Sequence, residues 1–209
     1  MNNKDFIFKE SRDGIKFIGN FEEYYKHEPN PWNQNNIQYS RNRKWMLLNY
    51  LKDIYPKPNN ILDVGCGLGH MVILLRELVA PTCGVDVSKT CIDEARKLFP
   101  LGEYEVCDIR KSFPSGTFDI IVLNHILWYI LPELDKIISK SIDHLTANGS
   151  LIIARQFIKD QRFGKDIING FHGLINSLEI KHKDKFKITG FKFNEYRDAI
   201  ISLRRITNG

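Results

Sequence analysis

The chain has 209 residues, 43% of them hydrophobic and 26% charged, with a formal net charge of +5. That length holds one well-buried core and is short for two, and no apolar run reaches the roughly 18 residues of a membrane span. Fibrous, disordered and membrane-spanning classes are therefore excluded, and one soluble globular domain, residues 1–209, is expected.

The N-terminal stretch MNNKDFIFKESRDG is charged every few residues and lacks the apolar core of a signal peptide, so a cytoplasmic location is expected. Cys66, Cys83, Cys91 and Cys107 stand apart with no C-x-x-C pair. They read as reduced interior thiols, and no metal site is expected. The basic excess gathers late, at KHKDKFK and LRRI, and reads as a solvated face that tolerates an anionic substrate.

In chain order, FEEYYKHEPNPWNQN sets Tyr24, Tyr25 and Trp32 among polar residues and prolines. SRNRKWMLLNYLKDIY predicts an amphipathic helix stopped by Pro56 and Pro58. Residues 1–56 thus form a helical cap or lid, and residues 57–209 the core. From Ile61 onward NILDV, TCGVDV, YEVCDI, FDIIVLN and SLIIARQF read as strands. Between them HMVILLRELVA, KTCIDEARKLF and LPELDKIISKSIDHLT carry apolar residues at helical spacing. Alternation of this kind predicts a doubly wound α/β fold, because parallel neighbours need crossover connections. KFKITGFKFN and DAIISLRRI are separated only by EYR, too short for a crossover, so they should pair antiparallel at one sheet edge.

The stretch ILDVGCGLGH carries Gly65, Gly67 and Gly69 directly after the first core strand. Glycines there let the chain turn sharply and bring a ligand against the backbone and the start of the next helix. A dinucleotide fold would place its third glycine where His70 stands. Asp63 before the turn would repel a pyrophosphate but suits an ammonium or a sulfonium. Asp86 closes the next strand, where a carboxylate can accept hydrogen bonds from both ribose hydroxyls. Asp108 closes YEVCDI, where it or nearby backbone can meet an adenine amino group.

These residues together resemble the class I S-adenosylmethionine-dependent methyltransferases, from about Ile61 to Phe157. The resemblance implies a Rossmann-like, seven-stranded, mostly parallel sheet with an antiparallel C-terminal hairpin strand, and S-adenosyl-L-methionine as cofactor. It places Asp63, Gly65, Cys66, Gly67 and Gly69 around the methionine part of that cofactor. Asp86 and Val87 fall at the ribose and adenine positions, and Cys107, Asp108 and Ile109 flank the adenine. Asn124 and His125 come beside the sulfonium and the acceptor, while Asn148 stands where proline or glycine is more usual. NPWNQNNIQYSRNRK further resembles the D-P-W segment and helix start of nodulation-type N-methyltransferases acting on sugars, with Asn30 in place of the aspartate.

Methyl transfer needs mainly proximity and alignment; an oxygen acceptor also needs a base near its proton. His125 at the mouth of the site, titrating near the ordinary histidine value of about 6.5, is the first candidate. His172, in the glycine-flanked GFHGL, is the second. Each has a plain alternative, a pocket-shaping ring for His125 and an exposed loop residue for His172. Tyr24, Tyr25 and Trp32 either form a water-excluding lid or pack the N-terminal segment onto the sheet. Trp128 or Tyr129 lines the acceptor pocket while the other packs inward, and Arg41 or Arg43 holds the methionine carboxylate.

The expected enzyme methylates oxygen or nitrogen of a small molecule, such as a sugar or phosphorylated metabolite of a surface polysaccharide pathway. It acts as a monomer or homodimer. Neither a membrane nor a nucleic acid is expected as a partner, since FDIIVLN is followed by HIL and not by a base-stacking N-P-P-Y run. An RNA or protein methyltransferase and a non-catalytic binder of the cofactor are the alternatives.

Overall fold

The computed structural model describes residues 3–12, 14–34, 37–55 and 57–206. After a 3₁₀ turn at Asn3–Phe6 come strands β1 (Phe8–Ser11) and β2 (Gly14–Phe17), then helices α1 (Phe21–His27) and α2 (Ile37–Ile54). The core begins with β3 (Ile61–Val64), α3 (His70–Leu78), β4 (Thr82–Asp86), α4 (Lys89–Leu98) and β5 (Glu103–Val106). It continues with β6 (Phe118–Asn124), α5 (Leu127–Ile130), α6 (Leu134–Asp143) and β7 (Leu145–Gln156). Helix α7 (Gly170–His182) and strands β8 (Phe186–Phe193) and β9 (Asp198–Arg205) complete the chain.

The seven-stranded sheet has the order β5-β4-β3-β6-β7-β9-β8. Every neighbouring pair from β5 to β7 is parallel, and β9 pairs antiparallel with both β7 and β8. This is the expected doubly wound architecture with its antiparallel hairpin at one edge. Alternation along the strands feeds two buried layers. Ile121, Leu123, Leu151 and Ile153 meet Leu134, Ile137 and Ile138 of α6 and Leu174 of α7 on one face. Ile120, Val122, Ile152 and Ile200 meet Leu47, Leu48 and Leu51 of α2 and Leu75 of α3 on the other. Each such fully buried aliphatic side chain contributes about 1.5–3 kcal/mol of apolar burial.

Three features depart from the expectations. The N-terminal cap is not only helical: Phe8 pairs with Phe17 across the two-stranded β1–β2 hairpin. The long helix expected from Leu131 begins as a 3₁₀ turn at Leu131–Glu133, with Pro132 at the turn, and continues as α6; the short α5 precedes it, and β7 already begins at Leu145. GFHGL, read as a glycine-flanked loop, instead opens α7, in which Leu174 and Leu178 are buried one turn apart. Pro56, expected to stop α2, lies outside the described residues; Pro58 follows the helix end at Ile54. No helix among the described residues is long and apolar enough to cross a membrane.

Candidate active site at the carboxyl ends of the strands

The parallel strands end at one edge of the sheet, where a cleft of about 470 Å³ opens, within the usual range of small-molecule sites. The turn after β3 forms its base. Gly65, Gly67 and Gly69 have φ of +70°, +55° and +80°, which an L side chain rarely adopts. The amides of Gly65 and Cys66 both donate to the Val85 carbonyl, at 2.7 and 3.0 Å. A Cβ on Gly65 would lie 2.3 Å from the Ile126 side chain at the cleft wall. Gly67 and Gly69 serve differently from the expectation, since neither lines the cleft. Their bare Cα atoms make room for Gln34 and the Tyr104 phenol, which a Cβ would approach to 2.3 and 2.5 Å.

Asp63 sits inside fully buried β3, only 1% exposed, yet lines the cleft. Neither carboxylate oxygen has a hydrogen-bond partner. Burial, and then the neighbouring Asp86, push its pKa up to about 7. Asp86, at the end of β4, accepts the amides of Gly67 at 3.1 Å and Ser88 at 3.0 Å. Burial raises its pKa, and those amides with that of Val87 counter part of the rise. Val87, Cys107, Ile109 and Cys66 add apolar lining to the same cleft. Asp108 lines the cleft too, but Arg110 clamps its carboxylate with bonds of 2.7 and 2.9 Å. That clamp lowers its pKa and leaves nearby backbone as the better partner for an amino group.

The opposite half of the cleft is built by the ends of β6 and β7. Asn124 closes β6 and His125 follows with φ +60°, its amide donating to the Ala154 carbonyl at 2.8 Å. The His125 carbonyl accepts from Arg155 Nη1 at 3.2 Å. Burial, then Arg155 and Arg43, depress the imidazole pKa to about 3, which overturns the expected value near 6.5. Tyr129 lines the cleft, and its phenol oxygen accepts the Trp32 indole N–H at 3.0 Å. Tyr25, Trp32 and Phe21 line the same cleft from the cap.

Several expected residues stand elsewhere. Trp128 is buried in the core, edge-on to Phe157, with the Arg155 guanidinium 5.2 Å from its ring centre. Tyr24 is buried outside the cleft, between Phe6 and Trp32. His172 is exposed on the first turn of α7 beside Phe171, outside the cleft, because the glycines flanking it open a helix and not an acceptor loop. The side chain of Arg41 lies outside the described residues, whereas Arg43 lines the cleft and pairs with Asp198 at 2.9 Å.

The sequence reading missed Gln34, Lys44, Arg155 and Gln156, all of which line the cleft. Gln34 Oε1 accepts the Leu68 amide at 2.9 Å, tying the cap to the glycine turn. Its position just after the P-W pair is the signal that could have found it. Arg155 was visible as a charge closing the apolar run SLIIA, a strand-end position like that of Asp86.

Residues 62–153 match the family described as the methyltransferase domain. That stretch, less than half of the chain, is similar to a methyltransferase domain. Trans-aconitate 2-methyltransferase of Azoarcus sp. (strain BH72) is 32% identical over 95 residues, 44% of this chain and 37% of that protein. A Haemophilus influenzae protein is 29% identical over 166 residues, 75% of this chain and 60% of its own length. The chain thus spans less than two thirds of either relative. The structure of the N-methyltransferase NodS from Bradyrhizobium japonicum WM9 with S-adenosyl-L-homocysteine superposes with a TM-score of 0.70. It covers 88% of this chain and 97% of that one, and at 17% identity the likeness is one of fold.

Proposed function

We propose that the chain is an S-adenosylmethionine-dependent methyltransferase acting on oxygen or nitrogen of a small molecule. The observation that carries the reading is Asp63: a buried carboxylate without a partner, facing a cleft beside a glycine turn that brings backbone within reach of a ligand. An isolated buried charge is costly, and a cationic amino-acid group would remove the cost. Asp63 would face the ammonium, Asp86 the ribose hydroxyls, and Val87, Cys107 and Ile109 the adenine ring. Lys44 of α2, beside the glycine turn, would hold the methionine carboxylate, with Asn124 beside the sulfonium. Bound there, S-adenosylmethionine supplies an electrophilic methyl group, so the remaining task of the chain is alignment and exclusion of water.

His125 positions the acceptor; a ring that stays neutral down to a pH of about 3 is a weak base at neutral pH. The aromatic cap acts as the lid, residues 1–56 closing over the core of one domain. A soluble monomer or homodimer in the cytoplasm fits the reading, with a sugar or phosphorylated metabolite as the acceptor and no nucleic-acid partner. Incubation with methyl-labelled S-adenosylmethionine and a fractionated cell extract tests it. Label is expected in the small-molecule fraction. Label confined to protein or RNA would replace the acceptor class, and S-adenosylmethionine binding without transfer to any fraction would favour the non-catalytic reading.

A further inference from the structure

In the sheet order β5-β4-β3-β6-β7, the cleft residues change charge from one side to the other. Asp108 lies just past β5, Asp86 ends β4, Asp63 lies in β3, neutral Asn124 ends β6, and Arg155 stands next to last in β7. The acidic half is the half assigned above to the cofactor. The basic half is where the acceptor must enter.

Among the contacts that hold Arg155 there are its Nη1 on the His125 carbonyl at 3.2 Å and its guanidinium 5.2 Å from the Trp128 ring centre. Both hold a planar, permanently charged fork in one orientation. Arg43 of α2 lines the same half, with the buried Asp198 2.9 Å away to balance it. The other cations of the cleft belong to the opposite half: Arg110 is clamped to Asp108, and Lys44 Nζ donates to the Gln34 carbonyl at 3.3 Å, beside the glycine turn. The rings of Phe21, Trp32 and Tyr129 line the same cleft and pack on one another, Trp32 and Tyr129 also sharing a 3.0 Å hydrogen bond.

We propose that Arg155 determines acceptor specificity, selecting a small acceptor that carries a carboxylate or phosphate next to a flat, apolar body. A guanidinium fork matches either anion in a bidentate manner, while the rings of the same cleft offer apolar faces. The proposal rests on the methyl-transfer reading only in calling this half the acceptor site.

The test uses the full chain, with benzoate, inorganic phosphate and benzylamine as probes, each with and without S-adenosylhomocysteine. The Trp32 indole N–H resonance reports binding. Benzoate is expected to shift it saturably and benzylamine to leave it unmoved; a phosphate response as well would name phosphate among the acceptable anions. R155Q should weaken benzoate by about tenfold or more, R155K should recover part of the loss, and R155E should turn the preference toward benzylamine. A purely structural role for Arg155 would not reverse a charge preference. Benzylamine binding as well as benzoate to the native protein overturns the proposal, as does silence toward both anions or native benzoate affinity in R155Q. The native comparison needs no variant and stands if a substitution fails to fold. Failure of S-adenosylhomocysteine to bind would refute the cofactor reading alone, because the anion preference is also read in its absence.

Discussion

The Glu22 carboxylate of the cap accepts both the hydroxyl and the amide of Thr90, at 2.7 and 3.1 Å, across 68 positions of sequence. It also accepts the Ser88 hydroxyl at 2.7 Å. Ser88 is the N-cap of α4, so the carboxylate sits at the positive end of that helix. This latch holds the cap against the core next to Asp86. Burial alone would raise the Glu22 pKa, but the bonds from Thr90 and Ser88, with Lys26 nearby, bring it down to about 2. Because the folded value lies below the ordinary 4.5, the contribution is complete above about pH 4.5 and is lost as pH falls toward 2.

Glu22→Ala is therefore expected to cost about 1.5–3 kcal/mol of cap docking at neutral pH, through lost charge-assisted hydrogen bonds. Hydrogen exchange at Tyr25 and Phe21 amides should speed up while strands β3 and β6 keep their protection. Unchanged exchange in the cap would mean that the aromatic contacts alone hold it.

His125 stands at φ +60°, a conformation that asparagine tolerates better than alanine. With its pKa depressed to about 3 by burial and two guanidiniums, the ring is neutral throughout the working range. The pH–rate profile should accordingly show no limb near 6.5 assignable to His125. His125→Asn should keep most of the single-turnover rate, and His125→Ala should lose more of it and about 1 kcal/mol of stability. A native limb near 6.5 that both variants abolish would restore the general-base role.

Gly65→Ala combines a left-handed backbone with a Cβ 2.3 Å from the Ile126 side chain. A loss of about 1–3 kcal/mol in chemical denaturation is expected, together with weaker S-adenosylhomocysteine binding, because Ile126 must move at the cleft wall. Gly116→Ala, where φ is +97° but no atom lies within 4 Å, is the control for backbone strain without contact. Equal losses in the two variants would assign the whole effect to the backbone.

The alternating core was legible because each strand is a short, nearly continuous apolar run, as in FDIIVLN, and each helix shows its spacing of buried residues. The hairpin of β1 and β2 was not. Its strands are four residues each, largely exposed, and are held by ring contacts such as Phe8 with Phe163, far away in sequence. Helix α7 was hidden by Gly170 and Gly173 at its start, which weaken helical propensity although Leu174 and Leu178 carry the period. The acidic half of the cleft could be read because Asp63 and Asp86 adjoin the glycine turn and a strand end in the sequence itself. Gln34 and Arg155 left a weaker trace, one just after the P-W pair and the other closing an apolar run, and the depressed pKa of His125 left none, since it arises from burial and from guanidiniums brought beside the ring only by folding.

Asp63 ties the site to stability. Its pKa of about 7 lies above the ordinary carboxyl value of 3.8, so the folded chain binds the extra proton and loses stability as pH rises from about 4 toward 7. For a fully buried group that amounts to about 4 kcal/mol as an upper bound. Asp63→Asn should therefore raise the melting temperature of the ligand-free protein at pH 8.

The same carboxylate supplies the most direct measurement of the central claim, calorimetric titration with S-adenosylhomocysteine at pH 7 in two buffers of different ionisation enthalpy. The native protein is expected to bind with a Kd of about 1 µM and to release about half a proton as Asp63 ionises against the ligand ammonium. Asp63→Asn should weaken binding at least about tenfold and abolish that release. Absence of binding by the native protein, or binding that releases no proton and is unaffected by Asp63→Asn, would contradict the account.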